Sequence, residues 1–485
     1  MKNKIITRRN FITTTAAGIS ACALPLQAAK LLTAKKTIKT RVAIIGGGLA
    51  GLTTARNLER LGITDVVILE ARSRVGGRTL NLRSPQGHHL ESGGEWTGPG
   101  QDRVQALATE LGISQFPCYY KGDAIFELGN TTHKGLVPRV GLGDSKDFIS
   151  AALRLHHLGK SVPVENAWLA HNAKLLDQQT LADWLIANVP NRAVHGIFSR
   201  FTRAVFTSYP HHISLLWYLF YMNSCGGLWS LMRMEGGAQD SRFDGGSQEI
   251  SIRMANALKA NVMFGEPTKE IIDRPGSPVI VKTSSANILC ERVVVAMSPA
   301  DANRIDFTDC LEPERKELMA SWANTPKLPA LKVAVVYKSP FWRKKGLSGH
   351  IMGDTPPVQL TFDNSPKSGE VGVISLFLSL IEAKGLTDKK VRKKAIITGL
   401  AKRLGPEGAR PIYYTEKDWA RDLWSTGCVL PLKPDVLHRV GHTLRKASGR
   451  IHWAGTETSP VWCGYMDGAV RSGERCAVEL HKAIT

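Results

Sequence analysis

The chain has 485 residues, with Lys+Arg 63 against Asp+Glu 42 and a formal charge of +21. A single hydrophobic core stops growing at roughly 250–300 residues, so two domains are expected. A composition of 43% hydrophobic and 22% charged residues is that of a soluble globular protein and excludes a disordered chain, a collagen or a coiled-coil rod. The positive charge favours anionic neighbours. No zinc-finger spacing, RNA-binding aromatic motif or basic tail accompanies it, so no nucleic-acid partner is expected.

Residues Thr7 to Phe11 read TRRNF, ahead of a weakly apolar stretch from Ile12 to Leu26. An arginine pair in that setting is the pattern of a twin-arginine signal. It predicts export, to the periplasm or beyond, by the twin-arginine machinery, with residues 1–28 as the signal peptide. Leu26-Gln27-Ala28 offers a cleavage site, and Ile19-Ser20-Ala21-Cys22 offers a rival at which Cys22 would be lipidated. The eight cysteines have spacings that fit no zinc site, and no metal is expected. Ile213 to Met222 is too short to span a bilayer and suits a buried helix, so no transmembrane anchor is expected.

Arg41 to Ile45 is a short β-branched run, read as a buried parallel strand. Gly46-Gly47-Gly48-Leu49-Ala50-Gly51 follows, then a helix over Leu52 to Leu61 and a second strand, Asp65 to Leu69, closed by Glu70. This is a complete dinucleotide-binding unit. Gly46 permits the tight turn, Gly48 lets the backbone approach a pyrophosphate, and Gly51 lets helix lie on strand. The free N–H groups at the start of the helix favour phosphate, and Ala50, in the turn before it, is expected at the cofactor. Glu70 is placed to accept ribose hydroxyls.

Glu70 to Arg78 (EARSRVGGR) matches the ExRxRxGGR continuation of the glutathione-reductase-type FAD superfamily, which implies FAD and brings Arg72 and Arg78 to it. Further on, Val262 to Val295 alternates strands and turns, consistent with a second sheet of the FAD domain. A lone Lys332 interrupts the apolar strand-like run Ala330 to Tyr337, where an ammonium is costly to bury without a partner. Lys389 to Leu404 reads as a helix with Val391, Ile396, Leu400 and Leu404 on its apolar face and a solvated basic face opposite.

Four more segments carry a resemblance: Gly93 to Pro99 (GGEWTGP), Leu215 to Gly227 (LLWYLFYMNSCGG), Gly236 to Gly246 (GGAQDSRFDGG) and Arg450 to Ala469 (RIHWAGTETSPVWCGYMDGA). With them the chain resembles the flavin-containing amine oxidase family, most closely its monoamine oxidase branch. The resemblance implies an α/β fold: a Rossmann-type FAD-binding domain of the glutathione-reductase type plus an α+β substrate domain. The FAD domain would use residues 39–115, 244–321 and 422–485, and the substrate domain residues 116–243 and 322–421.

The resemblance also implies roles. Lys332 would hold a water against flavin N5, and Tyr465 would be one of two aromatic rings that sandwich the amine. Gln239, Val429 and Cys225 would line the substrate cavity. Gly94, Glu95, Trp96, Thr268, Glu457 and Met466 would join the dinucleotide residues at FAD. Cys428 stands where the covalent branch bonds sulfur to the flavin 8α carbon; many relatives lack this cysteine and hold FAD noncovalently, and both modes stay open. Val429 replaces the second cage tyrosine. The implied reaction is oxidation of an amine to an imine, hydrolysed to an aldehyde or ketone, with dioxygen reduced to hydrogen peroxide. Two alternatives remain: an amine dehydrogenase passing electrons to a carrier protein, and a flavin-binding envelope protein without turnover.

Overall fold

The computed structural model describes residues 35–128, 131–136, 142–427, 429 and 431–485. Arg8, Arg9, Cys22, both cleavage sites and Cys428 lie outside the described residues. Residues 36–485 form one compact unit built around two large sheets.

The first sheet is eight-stranded. Its spine is Ala286–Ala296, which runs parallel to Lys36–Ile45 from the Lys36/Ala286 pair to the Ile45/Val295 pair. Val66–Glu70 and then Asn261–Phe264 extend the sheet beyond Lys36–Ile45, again in parallel. Alternate residues of these strands enter two different cores, as a sheet covered on both faces requires. Val42, Ile44 and Ile68 face the helices Leu49–Arg60 and Met466–Ile484, while Ala43, Ile45 and Leu69 face the opposite layer with Ile271, Val281 and Trp453.

Three expectations are corrected here. Val262 to Val295 does not form a second sheet. Ala286–Ala296 is long enough to pair antiparallel with Val279–Lys282 through its first half and parallel with Ile451–Ala454 through its second, so these strands all join the first sheet. The opening strand starts at Lys36, five residues before Arg41, because Ala286 and its neighbours supply partners for the whole length. The first helix begins at Leu49, directly on the glycine turn.

The second sheet has seven strands in the order Tyr413–Asp418, Ala330–Tyr337, Gly372–Ser379, Leu360–Asp363, Leu347–Gly353, Asp123–Leu128, Thr131–Gly135. Helix Lys389–Leu404 forms as expected, but its buried stripe is Arg392, Ile396, Leu400 and Leu404, and Val391 is exposed. The stripe steps by four residues, and Val391 lies one residue off it. Arg392 fills that place, its guanidinium paired with Glu416. A helical cluster gathers around Leu215–Ser224, a helix buried along nearly all its length. Among the described residues no helix is long and apolar enough to cross a membrane. A small sheet, Gln115–Pro117, Ser241–Phe243 and Trp96–Thr97, carries the GGEW loop.

Candidate active site

The glycine turn is fixed by its surroundings. Gly46 has φ +108°, and a Cβ there would stand 2.7 Å from the Ala296 carbonyl oxygen. A Cβ at Gly51 would strike the Gly46 carbonyl, so the helix can approach only over a hydrogen. Gly48 differs: its nearest neighbour would be the Gly77 Cα at 3.9 Å, leaving its side of the turn open. Gly48 caps the helix without a side-chain hydrogen bond, so the amides of Leu49, Ala50 and Gly51 still offer their hydrogens. The buried Glu70 accepts from the Gly47 amide at 2.8 Å and from the Arg72 amide at 2.9 Å.

The arginines of the following loop have separate tasks. Arg72 donates to Asp422 at 2.6 Å and to Ser425 Oγ at 2.9 Å. Arg74 donates to the carbonyls of Val75, Gly77 and Thr79, holding the double-glycine turn in shape. Arg78 forks onto Glu457, with contacts of 2.6 and 3.0 Å. Its own carbonyl accepts from Gly94 N at 3.0 Å. Arg78 therefore joins the GGEW loop to the turn after Ile451–Ala454.

Lys332 is 3% exposed in the middle of Ala330–Tyr337. Its Nζ donates to the Gly93 carbonyl at 2.8 Å and meets Glu95 Oε2 at 3.0 Å. Trp96 and Phe377 flank it, with ring centroids 5.6 and 5.4 Å from Nζ. The wall continues ring by ring: Trp96 to Phe362 at 4.8 Å, Phe362 to His350 at 5.2 Å, His350 to Tyr120 at 5.5 Å. The Tyr120 hydroxyl donates to the Gln239 carbonyl. Burial lowers the His350 imidazole to about 4 against the opposite pull of Asp363, so this wall carries a neutral ring.

Tyr465 stands immediately before helix Met466–Ile484 and caps it without a side-chain bond. Its ring lies 5.0 Å from Trp462 and 6.4 Å from Tyr221. Val429 and Tyr221 both press on the space beside Gly464: a Cβ there would stand 2.8 Å from Val429 Cγ2 and 3.0 Å from Tyr221 Cε2. Cys225 is buried, its thiol reaching the Cys463 carbonyl at 3.8 Å, and burial pushes that thiol up and keeps it neutral. Met466 is buried against the same core as Ala50.

The structure thus brings Lys332, Glu95, Trp96 and Gly94 together, and separately Tyr465, Val429 and Cys225, with Arg78 and Glu457 linking the two groups. The sequence missed Asn364, Arg242 and Glu91, which surround Glu95, and the ring series Tyr120, His350, Phe362 and Phe377. These residues are single positions in separate strands and loops, with no local motif to mark them.

The chain's residues fit FAD on several counts. Gly94 has nothing within 4 Å of where a Cβ would stand, as a backbone that touches a flat ligand requires. The uncapped amides behind Gly48 suit a pyrophosphate. Buried polar atoms without partners, at Thr268 Oγ1, Gln239 Oε1 and Glu95 Oε1, recur at residues assigned to cofactor or substrate.

Comparison with known proteins agrees. The family model described as flavin containing amine oxidoreductase matches residues 49–481. Amine oxidase [flavin-containing] A of Equus caballus is 32% identical over 91% of this chain and 85% of its own. Amine oxidase [flavin-containing] B of Cavia porcellus is 33% identical over 92% and 87%. Among solved structures, cyclohexylamine oxidase from Brevibacterium oxydans superposes with a TM-score of 0.85 at 30% identity, over 92% of this chain and 99% of that one. Putrescine oxidase bound to putrescine gives 0.85 at 29% identity, over 91% and 99%. The chain belongs to the flavin-containing amine oxidoreductase family, whose FAD-dependent members oxidise amines.

Proposed function

We propose that the protein deaminates a small amine oxidatively, releasing an aldehyde or ketone and hydrogen peroxide. The observation that carries this reading is the buried Lys332 ammonium, held on the Gly93 carbonyl beside the open face of Gly94. Bound FAD would take the hydride equivalent leaving the amine's α-carbon and pass the electrons to dioxygen. Gly46, Gly48, Gly51, Glu70, Arg72 and Arg78 would hold it, with Glu457, Thr268 and Met466 around it. Lys332 would hold a water toward it. Tyr465 would offer an aromatic face to the amine, and the rings Trp96, Phe362 and Phe377 would exclude bulk water. An apolar cavity of that kind favours the unprotonated amine, which has the lone pair the reaction needs.

Val429 in place of a second aromatic ring supports bulkier or secondary amines over slim primary ones. The pattern TRRNF supports export by the twin-arginine route, and Arg8→Lys with Arg9→Lys should strand folded yellow protein in the cytoplasm. Gly427-Cys428 supports a covalent flavin; acid-precipitated protein should then stay yellow, and Cys428→Ala should release the colour.

The deciding experiment mixes the purified protein with an amine panel without air and watches the flavin absorbance. Bleaching followed by dioxygen uptake and peroxide is the expected result. Bleaching without dioxygen uptake would point to a carrier protein as acceptor. No bleaching with any amine would mean a flavin-binding protein without turnover.

A further inference from the structure

Lys332 sits at one end of a buried series of alternating charges. Glu95 Oε2 meets its ammonium at 3.0 Å, and the two side chains are 0% and 3% exposed. Asn364 Nδ2 donates to the same carboxylate oxygen, and Asn364 Oδ1 accepts from Arg242 Nη1 at 2.8 Å. Arg242 in turn meets Glu91 Oε2 at 3.1 Å, with both side chains 5% exposed. Two cations and two carboxylates are thus joined through one amide, largely shut off from solvent. A charge in such a place is costly unless a counter-charge is fixed beside it.

Glu95 is oriented by these contacts. Its hydrogen bond from Asn364 and its ion pair with Lys332 both fall on Oε2, while Oε1 is buried without a partner. A carboxylate serving mainly as a structural staple would spend both oxygens on the protein, as Glu91 does with Ser247 N and Arg242. Glu95 instead presents to Lys332 the oxygen that Asn364 holds in place. Trp96 and Phe377 bound that lysine on two sides, and its ammonium is drawn between them to Glu95 Oε2 and the Gly93 carbonyl.

We propose that Glu95 is a positioning residue for Lys332: its carboxylate fixes where the ammonium points and cancels its charge, so that the flavin ring faces a neutral pair. The inference rests on the placement of Lys332 beside the flavin. A flavin gains negative charge on reduction, so a nearby net positive charge raises its reduction potential and a net negative charge lowers it.

The test is the FAD reduction potential of the holoenzyme, read against reference dyes at pH 8, together with the melting temperature of the same preparations. At that pH Glu91, which burial raises to about 7, is largely ionised. Glu95→Gln should raise the potential and Lys332→Met should lower it. The double variant should return to the wild-type value, and Glu95→Asp should keep it. Each single variant should melt below the double. Should Glu95→Gln fail to fold, Lys332→Met against the double variant decides the matter, since removing Glu95 must restore the potential. Opposite shifts that cancel are not produced by a loss of packing. Glu95→Gln leaving the potential unchanged while Lys332→Met moves it, or both variants moving it the same way, overturns the inference. Neither variant moving it, with the melting cycle still showing coupling, overturns instead the placement of Lys332 beside the flavin.

Discussion

The two ends of the site are built by different means. The dinucleotide end is a contiguous backbone feature: Gly46 to Gly51, Glu70 and the loop to Arg78 follow one another in the chain, and the decisive contacts are made by main-chain atoms. The Lys332 end is made of side chains from four separate stretches, carrying Glu91 with Glu95, Arg242, Lys332 and Asn364. A backbone site tolerates no added atom and depends little on its charges. A side-chain network tolerates changes of shape and depends on its pairs. The contrast predicts different kinds of damage.

The largest effect should come from Gly51→Ala. The new Cβ would meet the Gly46 carbonyl, a backbone atom that cannot swing aside. Overpacking costs about 1–3 kcal/mol, and a partner fixed in the backbone puts this site at the upper end of that range. The variant should lose FAD, read as the ratio of flavin to protein absorbance, and its denaturant midpoint should fall. A variant that binds FAD at the wild-type ratio would break the contrast at its stronger end.

Arg78→Lys tests the junction between the two ends. A lysine cannot reproduce the fork onto Glu457, and the partner carboxylate is only 2% exposed. The loss should be about 2–3 kcal/mol, below the full value for a buried pair because Arg78 is 30% exposed. Glu457→Gln alone and combined with Arg78→Lys completes a cycle, and additive losses would show that the fork is not the linking contact.

Glu91 gives the network its own pH signature. Burial raises its carboxyl to about 7, opposed by Arg242. A carboxyl raised on folding favours the protonated native state, so this contribution is complete below the unfolded value near 4.5 and is lost as pH rises through about 7. Wild type compared with Glu91→Gln should lose on the order of 3 kcal/mol of relative stability across that window. A pH-independent difference in denaturant midpoint would show that Glu91 is ionised throughout.

The smallest effect belongs to Val429→Tyr. A ring there would add an aromatic face opposite Tyr465, but it must share the space beside Gly464 with Tyr221. The ratio of kcat/KM for a slim against a bulky amine should rise by no more than about tenfold, the equivalent of 1.4 kcal/mol. A ratio that stays fixed or moves toward the bulky amine would show that Val429 does not border the amine.

The same contrast explains what could be read from the sequence. The glycine turn and Glu70 were legible because their chemistry is local, each residue type being dictated by its immediate neighbours. Lys332 was legible because an isolated cation in an apolar strand stands out. Its partner was not: Glu95 reads as part of a flavin loop, and only the pairing of Trp96 with Arg242 and the approach of Ala330–Tyr337 put the carboxylate against the lysine. Asn364 and His350 carry no signal of their own, since their neighbours come from other strands. Val391 was misplaced because an apolar residue at roughly helical spacing looks equivalent to Arg392, whose stem is buried while its charge is answered by Glu416. The extended first sheet was missed for a related reason: a strand's length is readable, but not that it serves two different partners along one edge.

That shared strand has a consequence for biosynthesis. The second half of Ala286–Ala296 waits with one edge open until Ile451–Ala454 arrives, and helix Met466–Ile484 must then close over Leu49–Arg60. A nascent chain therefore holds an incomplete sheet until nearly all of it has left the ribosome. Pairings so distant in sequence are slow to form and leave a hydrophobic edge unpaired in the meantime. Stalling or truncating translation anywhere between these two strands should yield a species that needs a chaperone to stay in solution, even though its glycine turn has long been made.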